Sequence, residues 1–234
     1  MTDGDGDARI RASWEANAGR WTDAVRAGAI RSRRLATDDA VAAAVAALSP
    51  DRVLDLGCGE GWLARRLAHE AGCRVTGTDA SPELIRRAAA ADPGGDYRTL
   101  SYGELAQEPD RAGGPFDAVV ANFALLDREL GPLLAALARL APVLVVQTVH
   151  PWAACGDGPY RDGWREESFA GFGEPGWAPM PWYYRTLASW HAALAEAGWH
   201  ASRLEEPADP ETGRPLSLLL TCRRGAGPAP VRPA

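Results

Sequence analysis

The chain has 234 residues, 46% of them hydrophobic, which suits one medium α/β domain with an elaboration and excludes a chain disordered throughout. A net charge of −6 lacks the basic footprint of a polyanion binder, so nucleic acid is not expected as a partner, although Arg31, Arg33 and Arg34 cluster. No apolar run approaches the ~18 residues of a membrane span, the acidic start Thr2-Asp3-Gly4-Asp5 is unlike a secretion signal, and Cys58, Cys73, Cys155 and Cys222 match no metal or disulfide spacing, so a cytoplasmic protein with reduced thiols, no metal and no membrane partner is expected.

Residues 1–8 read as disordered, and Ile10 to Ile30 as one or two short helices carrying Trp14, Trp21 and Val25; residues 1–39 thus form an N-terminal helical lid. Thr37-Asp38-Asp39 starts a helix that Ser49-Pro50 stops. Strands and helices then alternate: strand Arg52–Leu56, helix Gly61–Ala71, strand Arg74–Thr78, and helix Pro82–Ala91 with Ser81 as its N-cap. Strands follow at Asp96–Leu100 and Phe116–Ala121, a helix at Leu130–Leu140, and a strand at Val143–Val149 that is apolar on both faces, as buried parallel strands are.

Residues 150–185 break the pattern. They are rich in glycine, proline and aromatic side chains, among them Trp152, Tyr160, Trp164, Phe169, Phe172, Trp177, Trp182, Tyr183 and Tyr184, without a clean period. So many large rings need burial, which predicts an ordered cap over the sheet's carboxyl edge. Thr186–Ala197 resumes a helix, and His200–Glu205 and Leu216–Arg223 read as two strands joined tightly enough to be antiparallel. The fold expected is a doubly wound, mostly parallel seven-stranded sheet with an antiparallel last strand, spanning 40–224 with the cap inserted at 150–185. The tail 225–234 reads as disordered.

The most informative stretch is Val53-Leu54-Asp55-Leu56-Gly57-Cys58-Gly59-Glu60-Gly61, an apolar strand that ends in an acid and a glycine turn. A dinucleotide fingerprint needs its third glycine at 62, where Trp62 stands, and no Lys-Ser/Thr pair follows for a phosphate loop. Asp55 before the turn would repel a pyrophosphate and attract an amino group. The second strand ends in Asp79, placed to accept from ribose hydroxyls. A cationic, phosphate-free adenosine derivative satisfies both acids, and S-adenosylmethionine is such a molecule.

Together V-L-D-L-G-C-G-E-G, T-G-T-D-A-S-P and F-D-A-V-V-A-N-F-A-L-L resemble the successive motifs of class I S-adenosylmethionine-dependent methyltransferases, over about residues 40–223. The resemblance implies that Gly57, Cys58 and Gly59 let the backbone approach the cofactor, that Asp79 binds the ribose, and that Ala80 lies beside the adenine. Asp55 would lie near the methionine amino group or orient the N–H groups of the turn. Ser101 and Tyr102 stand where the family often has an adenine-binding Asp, a departure from its pattern. Asn122 and Phe123 would border the methionine chain, and Trp21 and Arg31 would close over the cofactor.

Methyl transfer is an in-line displacement that needs the nucleophile held near the methyl carbon, and a base where the acceptor is protonated. His150, directly after strand Val143–Val149, is the candidate base, with Tyr184 as a second catalytic candidate. Trp152, Tyr160, Trp164 and Tyr183 are candidate walls for a flat, apolar or cationic acceptor. Arg185 is a candidate for an acceptor carboxylate. The reading is O- or N-methylation of a small molecule, possible in secondary metabolism, by a monomer or homodimer. A non-methyl reaction such as cyclisation, or cofactor binding without catalysis, would use the same motifs.

Overall fold

The computed structural model describes residues 5–169 and 176–225. Five parallel strands, β1 (Arg52–Leu56), β2 (Arg74–Asp79), β3 (Asp96–Thr99), β4 (Ala118–Asn122) and β5 (Val143–Val149), are completed by β8 (Trp199–Glu205) and β9 (Ser217–Arg224). Their order is β3-β2-β1-β4-β5-β9-β8, with β9 antiparallel to both β5 and β8. The doubly wound sheet with its antiparallel last strand is therefore as the sequence implies.

Apolar runs with period two explain why both faces are covered. Leu54 and Leu56, Val119 and Ala121, Leu144 and Val146, and Leu218 and Leu220 enter one core. Residues of the opposite register, Val53, Val120, Val145 and Leu219, enter the other. The first core is covered by α5 (Tyr102–Gln107), α6 (Gly131–Leu140) and α8 (Leu187–Glu196), the second by α2 (Asp38–Ala46) and α3 (Trp62–Glu70). Ser81 caps α4 (Pro82–Ala91) by accepting from the Leu84 N–H, with Pro82 in the first turn.

Three expectations change. The N-terminal segment is one helix, α1 (Asp5–Arg26), so residues 5–8 are helical; residues 1–4 and 226–234 lie outside the described residues. An unanticipated short helix, α5, is nucleated by a capping box in which Ser101 and Glu104 exchange side-chain and backbone hydrogen bonds. The cap has secondary structure of its own: α7 (Pro151–Cys155), then β6 (Gly163–Glu167) paired antiparallel with β7 (Met180–Tyr184). Phe172, counted among the cap aromatics, lies outside the described residues.

Helix α1 is tied to the sheet's carboxyl edge and to the cap by polar side chains. Buried Asn17 donates to the Ala178 carbonyl and accepts from the Ala178 N–H, each at 2.8 Å. Glu60, fully buried in the glycine turn, accepts from Arg26 at 3.0 Å and from Arg65 at 2.8 Å. Ser81 donates to Glu15. A buried carboxylate needs such partners, and Glu60 finds one on α1.

Candidate active site

The glycine turn is built by backbone conformation. Gly57, Gly59 and Gly61 all have positive φ, +69°, +57° and +81°. A Cβ on Gly57 would stand 2.6 Å from the Ala124 Cβ and 2.9 Å from the Tyr102 hydroxyl, so this position has neither the dihedral nor the room for a side chain. The N–H groups of Gly57 and Cys58 both donate to the Thr78 carbonyl, at 2.7 and 2.9 Å, which pins the turn to the end of β2.

Asp79 is held from two sides. One carboxylate oxygen accepts from the Gly59 N–H and the other from the Ser81 N–H, both at 2.9 Å. Burial raises its pKa, and those two N–H groups oppose the shift. Asp55 is 1% exposed and its Oδ2 has no partner among the described residues. Its pKa is pushed up to about 7, first by burial and then by the Asp79 charge, against the Ala64 N–H.

A cavity of about 260 Å³ opens in front of the turn and runs to the cap. Of the residues assigned to a cofactor from sequence, Trp21, Gly57, Cys58, Gly59, Asp79, Ala80, Tyr102, Asn122 and Phe123 line it. Tyr102 is held by donating to the Ala124 carbonyl at 3.0 Å. Burial raises the pKa of the Tyr102 hydroxyl and of the Cys58 thiol, so both stay protonated at neutrality.

Three of that set do not reach the cavity. Arg31 turns outward to Asp209 and Glu211, at 2.6 and 3.5 Å. Arg33, on the following π-helical turn Arg33–Thr37, lines the cavity instead, paired with Asp38 at 2.9 Å and stacked on the Trp62 ring. Ser101 spends its hydroxyl on the capping box of α5. Asp55 is buried and does not line the cavity, and its backbone donor is the Ala64 N–H of α3 rather than an N–H of the turn.

The catalytic candidates are also displaced. His150 is 8% exposed, outside the cavity wall, and both its ring nitrogens are engaged. Nδ1 accepts from the Ala153 N–H and caps α7, which leaves Nε2 to donate to Glu206 at 2.7 Å. The ring thus lies outside the cavity with its Nδ1 lone pair turned to Ala153 rather than to an acceptor, so the general-base expectation is corrected. Tyr184 is fully buried, donates to the Pro151 carbonyl at 2.7 Å and lies under the Arg165 guanidinium.

The expected acceptor walls are corrected in the same way. Trp152 is 66% exposed, on the outer side of the cap, and Tyr160 accepts from the Leu187 N–H at 2.9 Å. Trp164 and Tyr183 pack edge to face as a register pair between β6 and β7, away from the cavity. Buried Arg185 donates to the Asp127 and Arg128 carbonyls and lies over the Tyr183 and Trp190 rings.

The walls facing the turn are Ile10 and Trp14 from α1, Leu126, Thr148 and Val149 at the sheet edge, and Phe169, Met180 and Trp182 from the cap. Two carboxylates lie among them. Asp7 pairs with Arg11 at 2.9 Å, and Glu167 accepts from the Phe169 N–H at 2.6 Å. Strand alternation in β7 was the missed signal: Met180 and Trp182 are two apart and share a face, whereas Tyr183 takes the other. Among the described residues no group of three His, Cys, Asp or Glu side chains could hold a metal ion.

Residues 53–145 match a family model described as a methyltransferase domain. An uncharacterized methyltransferase of Mycobacterium tuberculosis is 35% identical, over 50% of this chain and 66% of its own length, so the chain spans about two thirds of that relative. The crystal structure of an S-adenosylmethionine-dependent methyltransferase from Mesorhizobium loti is 25% identical, covers 78% of this chain and 96% of its own, and has a TM-score of 0.58. The Burkholderia thailandensis 1,6-didemethyltoxoflavin-N1-methyltransferase, solved with 1,6-didemethyltoxoflavin and S-adenosylhomocysteine, shares the fold at a TM-score of 0.63. It is 19% identical and covers 97% of this chain and 92% of its own.

Proposed function

The chain belongs to the class I S-adenosylmethionine-dependent methyltransferases, and we propose that it transfers the methyl group of S-adenosylmethionine to a small-molecule acceptor held against the cap. One observation carries this reading: a single cavity joins the Asp79–glycine turn to the wall formed by Trp14, Phe169 and Trp182.

The residues present fit this cofactor. Asp79 has both oxygens oriented by backbone N–H groups and still carries free lone pairs for two hydroxyls. Gly57 and Gly59 present bare backbone to the cavity, and Ala80 and Leu84 offer an apolar surface for a base. The cations in the wall, Arg11 and Arg33, are paired with Asp7 and Asp38, while Asp79 and Glu167 add negative charge, which favours a cationic ligand over a phosphate. Bound there, S-adenosylmethionine supplies an electrophilic methyl on a sulfonium leaving group.

The chain's part is then positioning. Trp14, Phe169 and Trp182 hold an apolar or flat acceptor in front of the turn and keep water out. Helix α1 closes one side of the cavity through Ile10, Trp14 and Trp21. With His150 committed to Glu206 and Ala153, a base could come only from the wall carboxylates Asp7 and Glu167, and an acceptor atom that is already nucleophilic, such as a carboxylate, a phenolate or a neutral nitrogen, needs neither. The enclosed wall fits a small molecule better than a protein or nucleic-acid surface.

Incubation with methyl-labelled S-adenosylmethionine and a panel of small carboxylates, phenols and aromatic amines tests the proposal. Label transfer to one class supports it. Cofactor binding without transfer to any member would instead favour a non-catalytic binding protein.

A further inference from the structure

Gln147 is fully buried in β5, beside the end of β4, and every polar group of its side chain is used. Its Nε2 donates to the Thr37 carbonyl at 2.9 Å and to the Asn122 Oδ1 at 2.8 Å. Its Oε1 accepts from the Ser217 hydroxyl at 3.3 Å. Its main-chain carbonyl also accepts from the Phe123 N–H at 2.7 Å.

The orientation of these amides follows from chemistry. The Thr37 carbonyl can only accept, so the nitrogen of Gln147 must face it. The second proton on that nitrogen then requires an oxygen from Asn122. The Asn122 amide is thereby fixed with its NH₂ turned away from Gln147. Asn122 lines the cavity, and its Nδ2 donates to no described residue. The next residue, Phe123, also lines the cavity and is held at φ +53°, a conformation a non-glycine residue adopts only when its surroundings impose it. Gln147 thus clamps both residues at the exit of β4, one through its side chain and one through its backbone.

Resting on the methyltransferase reading above, we infer that Gln147 is a positioning residue that locks Asn122 as a hydrogen-bond donor to an oxygen of the bound ligand. The wall at Asn122 therefore receives a carboxylate or carbonyl oxygen and not an ammonium group. That oxygen comes either from the amino-acid carboxylate of the cofactor or from the acceptor.

Calorimetric titration with two probes separates the sources: S-adenosylhomocysteine, which carries the carboxylate, and 5′-methylthioadenosine, which lacks the amino-acid end. Asn122→Asp keeps the bond from Gln147 and loses the donors. Gln147→Glu forces the Asn122 amide to turn and present its oxygen, and Gln147→Met, which releases the amide, serves should the buried glutamate prevent folding. If the oxygen is the cofactor's, Asn122→Asp and the Gln147 variant each weaken S-adenosylhomocysteine about tenfold or more, with methylthioadenosine within about twofold. The double variant is then no worse than the poorer single one.

If the oxygen is the acceptor's, both probes bind as to wild type, and kcat/KM for the acceptor found in the labelled-methyl panel falls by about tenfold, chiefly through KM. Unchanged probes and unchanged turnover in Asn122→Asp would overturn the inference. So would a Gln147 variant that loses both probes equally while Asn122→Asp is silent, the pattern of a merely structural glutamine. A wild-type protein that binds neither probe would overturn the methyltransferase reading itself, and this inference with it.

Discussion

The two halves of the cavity are made of different material. The half at the sheet edge is backbone: three glycines at positive φ, N–H groups aimed at Asp79, and acids buried behind the turn. The opposite half is side chain: Trp14 of α1 against Phe169 at 6.1 Å, and Met180 and Trp182 on one face of the two-stranded sheet of the cap. Backbone geometry tolerates almost no substitution, whereas rings on a short strand can be exchanged with modest cost to the fold. On the proposed reading the cofactor lies against the first and the acceptor against the second, and substitutions on the two sides should have separable effects.

The largest effect is expected at Asp79. Asp79→Ala removes a charged acceptor and frees the N–H groups of Gly59 and Ser81, and should weaken S-adenosylhomocysteine binding by about ten- to a hundredfold. Calorimetry checks this, and unchanged affinity would remove the ribose assignment. Trp182→Ala should act on the other half, raising KM for the acceptor about tenfold while leaving cofactor affinity nearly intact. Steady-state kinetics at saturating cofactor read this out, and a loss confined to cofactor binding would show that the halves are not separable.

Asp55 gives a pH test of the sheet-edge half. Its folded pKa of about 7 lies above the ordinary 3.8, so the native state holds this proton more tightly than the unfolded chain does. The group therefore costs stability progressively as pH rises from about 4 to about 7, and the cost is constant above that. Asp55→Asn should flatten this slope, matching wild type near the acid end and exceeding it at pH 8 in urea denaturation. Parallel curves for the two proteins would contradict the burial argument.

The smallest effect is expected at His150. His150→Ala should cost about 1 kcal/mol through the lost cap of α7, with turnover close to wild type. A strong loss of turnover without a loss of stability would restore His150 as a base.

The same division explains what the sequence made legible. The ends of β5 and α4 coincide with the pattern because apolar runs, Ser81 and Pro82 are local signals. The glycine turn and Asp79 were legible because their chemistry needs particular residues at particular spacing. Arg31 and Arg33 were not distinguishable, because a π-helical turn decides which of two nearby arginines faces the cavity. His150 was misread because its neighbour Pro151 starts a helix that the ring caps, and its partner Glu206 is 56 residues away in sequence. The cap walls were hidden for a related reason. Nine aromatics in one segment say that burial is needed, but only the pairing of β6 with β7 says which rings face inward. Gln147, a buried amide in an otherwise mostly apolar strand, and the capping box of Ser101 and Glu104 were overlooked local signals, and the meaning of Gln147 depends on Thr37 and Ser217, far along the chain.

The most direct measurement is the affinity of S-adenosylhomocysteine for wild type, Asp79→Ala and Trp182→Ala, by calorimetry under one set of conditions. We expect wild type and Trp182→Ala to bind alike and Asp79→Ala to bind at least about tenfold more weakly. Equal affinity for wild type and Asp79→Ala, or a loss in Trp182→Ala as large as that in Asp79→Ala, would contradict the assignment of the cofactor to the glycine turn.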